Sequence, residues 1–252
     1  MKKLTSARLL SSLVFSLAFG SVNAQELMVS AAASLTNAFK ELAPLFEAKH
    51  PGSKVLLNFA ASDALVQQVA KGAPVDVLAC ADQESMDRAE AQKLLTPGSR
   101  QNFAGNSLVL IVPTDSVLPL RTVADLAQAS VTRIAMGNPA SVPAGRYTQQ
   151  ALEQGKLWSA VQPKAIYALS VRQSLDYVAR GEVDAGFVYN TDAAIQKTKV
   201  RVVSTVPSTV AITYPAAVIA TSKHAVLAQQ FIDYTLSPAG QAVLGHYGFM
   251  KP

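Results

Sequence analysis

The chain alternates short apolar runs with segments of helical periodicity, and this alternation constrains its fold more than any other feature. Runs with strand character lie at 27–30, 55–59, 75–79, 107–112, 133–136, 165–169, 185–189, 200–203 and 215–220. Helical spacing of apolar residues predicts helices over 35–46 and 62–71, and two more at 223–236 and 238–247. Repeated strand–helix–strand units predict an α/β fold in which mainly parallel sheets are flanked by helices.

The first 24 residues have the pattern of a secretory signal peptide. A basic start precedes an apolar run over 9–19, and V-N-A at 22–24 is a small-x-small cleavage site. We therefore expect a periplasmic protein whose mature chain begins at Gln25. Removing residues 1–24 takes away three of 22 Lys and Arg and none of 17 Asp and Glu, so the net charge falls from +5 to 19 − 17 = +2. A charge this small does not suggest nucleic-acid binding.

The sequence lacks the patterns that usually carry catalysis or bind a metal. It contains no G-x-S-x-G nucleophile elbow, no S-x-x-K pair in the mature chain and no phosphate-binding glycine loop. His50, His224 and His246 are far apart, and the single cysteine, Cys80, cannot form an internal disulfide. We therefore predict that the protein is not an enzyme, uses no cofactor and coordinates no metal directly.

Small residues and neutral donors recur where strands lead into helices. Ser34 follows A-A-A, and Ser62 follows F-A-A. Each serine could be an ordinary helix N-cap, but small neighbours also allow an anion to approach the free N–H groups of a helix start. The segments V-P-A-G-R-Y at 142–147 and S-V-R-Q-S at 170–174 lead into two further helices. Four such helix starts predict a cradle of neutral donors for a small anion.

At these residues the sequence resembles the family of periplasmic molybdate-binding proteins of bacterial ABC uptake systems. The resemblance runs over 25–252, and the order and spacing of its segments make it specific although each segment alone is weak. The segments are A-A-A-S-L-T-N-A at 31–38, G-A-P-V-D-V at 72–77, A-D-Q at 81–83, G-N-S-L-V at 105–109, V-P-A-G-R-Y at 142–147, V-Y-x-x-D-A at 188–193 and Y-G-F at 247–249.

The resemblance implies a two-lobed, type II-like periplasmic binding protein that holds a tetrahedral oxyanion in the cleft between its lobes. Lobe 1 would comprise 25–106 and 213–252, and lobe 2 would comprise 107–212. The family pattern places the ligand-binding hydroxyls and amides at Ser34, Ser62, Ala144, Val171 and Tyr189. From the residues alone, Val171 could instead belong to the core, Tyr189 could serve packing, and Ala144 could be only a turn residue.

The implied function is high-affinity binding of molybdate, and also of tungstate, by a monomer that delivers the anion to an inner-membrane ABC permease. Three alternatives remain open at this point. The chain could bind another small oxyanion such as sulfate, it could be an enzyme on a similar two-lobed scaffold, or it could be an extracytoplasmic sensor domain. The second would require an acid–base pair at the cleft, which the sequence does not indicate.

Two positions depart from the family pattern. Asp63 follows the second serine where the family more often has a small or hydroxyl residue, and Arg146 lies beside the Ala144 amide. We expect Asp63, in the first turn of a helix, to stabilise that helix through its dipole and to repel a bound dianion weakly. The sequence leaves open whether Arg146 points into the cleft.

Overall fold

The computed structural model describes residues 25–252, so the predicted signal peptide at 1–24 lies outside the described residues. Two five-stranded sheets form the centre of the fold. The first contains β1 (Gln25–Ala32), β2 (Ser53–Ala60), β3 (Val77–Ala79), β4 (Gln101–Asn106) and β10 (Ile212–Val218). The second contains β5 (Leu108–Pro113), β6 (Ile134–Gly137), β7 (Ala165–Ala168), β8 (Ala185–Tyr189) and β9 (Val200–Thr205).

Helices pack around both sheets and include the predicted ones. They are α1 (Thr36–Lys49), α2 (Ser62–Ala70), α3 (Gln83–Ala91), α4 (Pro143–Gln154), α5 (Trp158–Val161), α6 (Val171–Ala179), α7 (Asn190–Ile195), α8 (Ala225–Leu236) and α9 (Pro238–His246). Within residues 25–252, no helix has the length and apolar character that a bilayer span requires. The sequence did not predict α3, α5, α7 or β4.

The order of strands is β2-β1-β3-β10-β4 in the first sheet and β7-β6-β8-β5-β9 in the second. In the first sheet β1 runs parallel to β2 and β3, whereas β10 runs antiparallel to β3 and β4. The second sheet repeats this arrangement, with β6 parallel to β7 and β8 and β5 antiparallel to β8 and β9. The α/β fold with two lobes and mainly parallel sheets is therefore confirmed, because four of the five strands in each sheet point the same way and one, β10 or β5, runs against its neighbours.

The antiparallel strands are those through which the chain passes from one sheet to the other. β4 ends at Asn106 and β5 begins at Leu108, and the return runs from Thr205, at the end of β9, to Ile212, at the start of β10. These two connections join sheets instead of forming a β–α–β crossover, so they do not impose the parallel direction that such a crossover requires. The five residues predicted to bind an anion lie between the two sheets.

Aromatic packing fixes the helix that follows the first predicted serine. The ring of Phe231 on α8 lies edge-on to Phe39 and Phe46 of α1, with centroids 5.6 Å and 5.2 Å apart. All three side chains are fully buried. Edge-to-face pairs of this kind stabilise a core beyond the area that they bury, so α1 and the turn before it are held firmly against the first sheet.

Candidate functional site

One small cavity between the sheets is lined by all five predicted site residues. Its lining consists of twelve residues, none of them charged: Ala32, Ala33, Ser34, Ala60, Ala61, Ser62, Ala81, Val142, Pro143, Ala144, Val171 and Tyr189. Its volume is about 10 Å³, counted as the space that the centre of a water-sized sphere can reach. Small side chains make up most of the wall, so backbone groups lie close to the space inside.

The two serines reach this cavity because two neighbouring strands end at the same edge of the first sheet. β1 and β2 are parallel, and Ala32 is paired with Ala60 in their register. Ser34 and Ser62 each lie two residues beyond this pair. Ser34 lies in a single 3-10 turn (Ala33–Leu35) before α1, and Ser62 is the first residue of α2. Carboxyl ends of parallel strands are the usual place for a ligand in an α/β fold.

Neither serine side chain caps its helix. The Oγ atom of Ser34 lies 3.0 Å from the hydroxyl oxygen of Tyr214 on β10. The Oγ atom of Ser62 accepts a hydrogen bond of 3.0 Å from the backbone N–H of Ala81. The alternative interpretation of these serines as ordinary N-caps is therefore wrong, since the helix starts receive no hydrogen bond from either side chain.

The second lobe contributes two helix starts to the cavity. Ala144 is the second residue of α4, and Val171 is the first residue of α6. Backbone N–H groups in the first turn of a helix have no partner within that helix, so both are free to donate. Gly145 allows the start of α4 to lie against β6, because a Cβ at this position would lie 2.1 Å from the carbonyl oxygen of Gly137.

Tyr189 brings a hydroxyl group from the end of β8 to the same cavity. Its side chain is buried, and the hydroxyl donates a 3.4 Å hydrogen bond to the carbonyl oxygen of Ala81 in the first lobe. Burial raises the pKa of Tyr189 well above its ordinary value, with further contributions from Tyr214 and Tyr147. The hydroxyl therefore remains protonated at neutral pH, and it can donate to an anion by releasing the carbonyl oxygen of Ala81.

Arg146 does not line the cavity but crosses from α4 to the first lobe. Its Nη1 atom lies 2.8 Å from Oδ2 of Asp63, and its Nη2 atom lies 2.6 Å from Oδ2 of Asp82 and 2.9 Å from Oγ of Ser85. Asp63 is buried and also binds Arg88, whose Nη2 atom lies 2.9 Å from Oδ2. The expected repulsion between Asp63 and an anion ignored these two guanidinium groups, which neutralise the carboxylate.

Arg172 makes a second contact between the lobes, and its role was missed in the sequence. It follows Val171 on α6, and its Nε atom lies 2.5 Å from Oδ1 of the buried Asp192. Its Nη1 and Nη2 atoms donate across the lobes to Oδ1 of Asn37 (2.8 Å) and to the carbonyl oxygen of Ser34 (3.1 Å). The only signal in the sequence was that Arg172 belongs to the segment at 170–174 and Asp192 to the segment at 188–193, both of which are quoted above.

The structure offers little that would support catalysis or metal coordination. Within residues 25–252, no group of three or more His, Cys, Asp or Glu side chains is placed to hold a metal ion. Cys80 is fully buried, and burial raises the pKa of its thiol above the ordinary value. A thiol of this kind is a packing residue rather than a nucleophile. The arrangement is suited to holding an anion by neutral donors.

Comparison with known proteins gives consistent matches over almost the whole described chain. A family described as bacterial extracellular solute-binding protein matches residues 27–250. The molybdate-binding protein ModA of Escherichia coli (strain K12) is 37% identical over 230 residues, which cover 89% of this chain and 88% of that protein. The solved periplasmic molybdate-binding protein of Azotobacter vinelandii has a TM-score of 0.77 at 26% identity and covers 90% of this chain and 99% of its own. The sulfate-binding protein SubI from Mycobacterium tuberculosis H37Rv has a TM-score of 0.80 at 20% identity, covers 90% of this chain and 87% of its own, and shows a shared fold.

Proposed function

Because the chain belongs to the family of bacterial extracellular solute-binding proteins, we propose that it binds molybdate between its lobes and delivers it to an ABC permease of the inner membrane. The comparisons confirm the family resemblance, and membership of a family of binding proteins supports the prediction that the chain is not an enzyme. We further propose export through residues 1–24, a monomeric state, and a division into lobe 1 (25–106 and 213–252) and lobe 2 (107–212).

The observation that carries this proposal is the uncharged cavity with donors on both of its sides. Ser34 and Ser62 lie on one side, and Ala144, Val171 and Tyr189 lie on the other. Each hydrogen bond to a charged acceptor contributes about 1.5–3 kcal/mol, so five such bonds give roughly 7–15 kcal/mol before closure and desolvation are subtracted. The upper part of this range leaves about 8–12 kcal/mol, which corresponds to a Kd between about 1 μM and 1 nM, as expected for capture of a scarce nutrient.

A wall of donors favours tetrahedral dianions that carry no proton. Molybdate, tungstate and sulfate meet this condition at neutral pH, whereas monohydrogen phosphate would bury an O–H group that needs an acceptor. Molybdate and tungstate have the same shape and charge, so we propose that tungstate binds as well. Sulfate is smaller, and the cavity would have to exclude it by size.

Titration of the mature protein with four anions tests this function. Calorimetry, or the fluorescence of the single tryptophan Trp158, should show saturable binding of molybdate and tungstate and none of sulfate or phosphate.

Ser34→Ala, Ser62→Ala and Tyr189→Phe should each weaken molybdate binding by about 1–3 kcal/mol, since each removes one donor to a charged acceptor. Ser159→Ala, at an exposed position on α5, is the matched control. If all three site variants bind molybdate like the parent, the anion binds elsewhere.

Export has its own test. The protein recovered from the periplasmic fraction should begin at Gln25, because Ala24 completes the cleavage site. Recovery of a chain that retains Met1 would contradict the proposed processing while leaving the anion site unaffected.

A further inference from the structure

A buried chain of hydrogen bonds leads from the junction between the two sheets to Ser34. The backbone N–H of Ser107 donates to Oδ1 of Asn106 at 2.9 Å. The Nδ2 atom of Asn106 donates to Oγ1 of Thr191 at 2.9 Å and to the hydroxyl oxygen of Tyr214 at 3.1 Å. The hydroxyl of Tyr214 lies 3.0 Å from Oγ of Ser34. Asn106, Thr191, Tyr214 and Ser34 are all buried.

The direction of these hydrogen bonds follows from which groups can only donate. A backbone N–H cannot accept, so the atom of Asn106 that faces Ser107 must be its amide oxygen, and the amide nitrogen faces Tyr214. An amide nitrogen cannot accept either, so the oxygen of Tyr214 accepts the bond from Asn106. The single proton of Tyr214 is then left for Oγ of Ser34. The reverse direction would leave that buried proton without an acceptor, which is costly.

We propose that Tyr214, oriented by Asn106, is a positioning residue that commits the proton of Ser34 to the anion and occupies one of the two lone pairs with which Ser34 could accept from a protonated ligand. This inference rests on the proposed function, because it concerns how the same cavity selects its anion. Ser34 lines the cavity, and its oxygen already accepts from Tyr214. Its own proton therefore has the bound anion as its partner.

Ser62 is oriented by the same physical principle through a different group. Its Oγ atom accepts from the backbone N–H of Ala81, which can only donate. Each serine oxygen therefore accepts one bond from within the protein, and its proton is left to point into the cavity. The amides of Ala144 and Val171 are donors by nature, so a fully deprotonated oxyanion meets four groups that can bond to it without rearrangement. Burial also raises the pKa of Tyr214 well above its ordinary value, which keeps the required proton on its hydroxyl.

Tyr214→Phe removes this hydroxyl and keeps the ring, which packs edge-on against Phe103, Tyr189 and Phe249. We propose a double-mutant cycle of the parent, Tyr214→Phe, Ser34→Ala and the double variant, titrated at pH 8 with molybdate and with phosphate. Tyr214→Phe should weaken molybdate binding about 5- to 10-fold, as expected for loss of one hydrogen bond that orients a donor. Because Tyr214 acts through Ser34, the same change should have no further effect in the Ser34→Ala background.

The ratio of molybdate to phosphate affinity separates this role from a structural one. Without the bond from Tyr214, the lone pair of Ser34 that it occupied is open to the O–H of monohydrogen phosphate, so the ratio should fall about tenfold in Tyr214→Phe, the equivalent of one satisfied O–H group. Tyr234→Phe is the matched control, since Tyr234 is a buried tyrosine of α8 that takes no part in these hydrogen bonds. An unchanged ratio, or effects of Tyr214→Phe and Ser34→Ala that simply add, would overturn the inference.

A second variant covers the case in which Tyr214→Phe does not fold. Asn106→Asp keeps the acceptor for the N–H of Ser107 but replaces the donor to Tyr214 with an acceptor. Tyr214 would then donate to the new carboxylate and accept from Ser34, so molybdate binding should fall by more than tenfold, the loss of a charge-assisted bond. Parental affinity in this variant would overturn the inference.

Failure of the proposed function gives a different result. If the parent binds sulfate and not molybdate, the choice of anion is wrong, and the cycle with sulfate should still be non-additive. If the parent binds neither oxyanion, both proposals are overturned.

Discussion

Arg146→Met isolates the contribution of one contact between the lobes to anion binding. Methionine keeps most of the aliphatic length of the side chain and removes every N–H donor. In the structure these donors bind Asp63, Asp82 and Ser85 of the first lobe at distances between 2.6 and 3.2 Å. Since Arg146 does not line the cavity, the substitution leaves the groups that would touch the anion unchanged.

The magnitude follows from what remains bound after the substitution. Removing one partner of a buried ion pair costs about 3–5 kcal/mol when the other charge is left alone. Here Asp63 keeps Arg88 at 2.9 Å, and Asp82 keeps the backbone N–H of Ser85 at 3.1 Å. We therefore expect a smaller loss of about 1.5–3 kcal/mol, equivalent to one or two charged hydrogen bonds. Because the contact joins the lobes, the closed form bears this loss, and molybdate affinity should fall about 10- to 100-fold.

Calorimetric titration of the parent and two variants measures this effect. Arg100→Met is the matched control, because Arg100 pairs at 2.7 Å with both Asp87 and Glu90, all of them within the first lobe. Its molybdate affinity should equal that of the parent. Small-angle scattering should also show a more open ligand-free form for Arg146→Met. If Arg146→Met binds molybdate as tightly as the parent, the contact does not contribute to closure on the anion.

Three further outcomes follow from the contacts in the structure. Asp63→Asn should weaken molybdate binding about 3- to 30-fold at low ionic strength, because Arg146 on α4 loses one of its two buried carboxylate partners in the first lobe; tighter binding would instead support simple repulsion. Burial alone would raise the pKa of Asp184, but hydrogen bonds that its carboxylate accepts from Thr132 and from the backbone N–H of Arg133 outweigh burial and lower that pKa. The resulting stabilisation is present above about pH 4, the ordinary carboxyl value, and is lost as the pH falls through the folded-state pKa. Asp184→Asn should therefore melt below the parent at pH 7, and the gap should close towards about pH 3; a gap independent of pH would contradict this. In urea denaturation the free energy of unfolding of Gly145→Ala should be about 2–4 kcal/mol lower than that of the parent, because the new Cβ clashes with β6. Gly245→Ala on α9 is the control: a Cβ there meets nothing within 4 Å, so the free energy of unfolding should change by less than about 1 kcal/mol.

Local patterns predicted those elements whose apolar residues repeat with a clear period. The run at 185–189 was predicted as a strand and is β8, because every residue in it is buried. In contrast, β4 has the sequence Q-N-F-A-G-N and contains one large apolar residue, Phe103. It becomes a strand by pairing with β10, in which Ile212 lies opposite Asn106. The direction of such distant pairs is not encoded in local periodicity, and for this reason the one antiparallel strand in each sheet, β10 or β5, was not predicted.

The site residues were predictable to the extent that they belong to short segments next to strand ends. Ser34 and Ser62 follow directly from the turns in which they lie, and the family pattern supplied Ala144, Val171 and Tyr189; their role as ligand donors remains a prediction. Tyr214 was not singled out, and Asn106 entered only as part of the segment at 105–109, because the feature that matters is a hydrogen bond between residues far apart in the chain. Only coordinates bring such groups together.

The two departures from the family pattern have a common physical explanation. Asp63 and Arg146 are separated by 82 intervening positions in the sequence, and each alone would be unfavourable near the site. An unpaired carboxylate at the start of α2 would repel a dianion, and an unpaired guanidinium with only a tenth of its side chain exposed would pay a desolvation penalty. Paired across the cleft, they neutralise each other outside the wall of the cavity. The lobes thereby gain an attraction that does not depend on the ligand, while the wall that meets the anion keeps its uncharged donors.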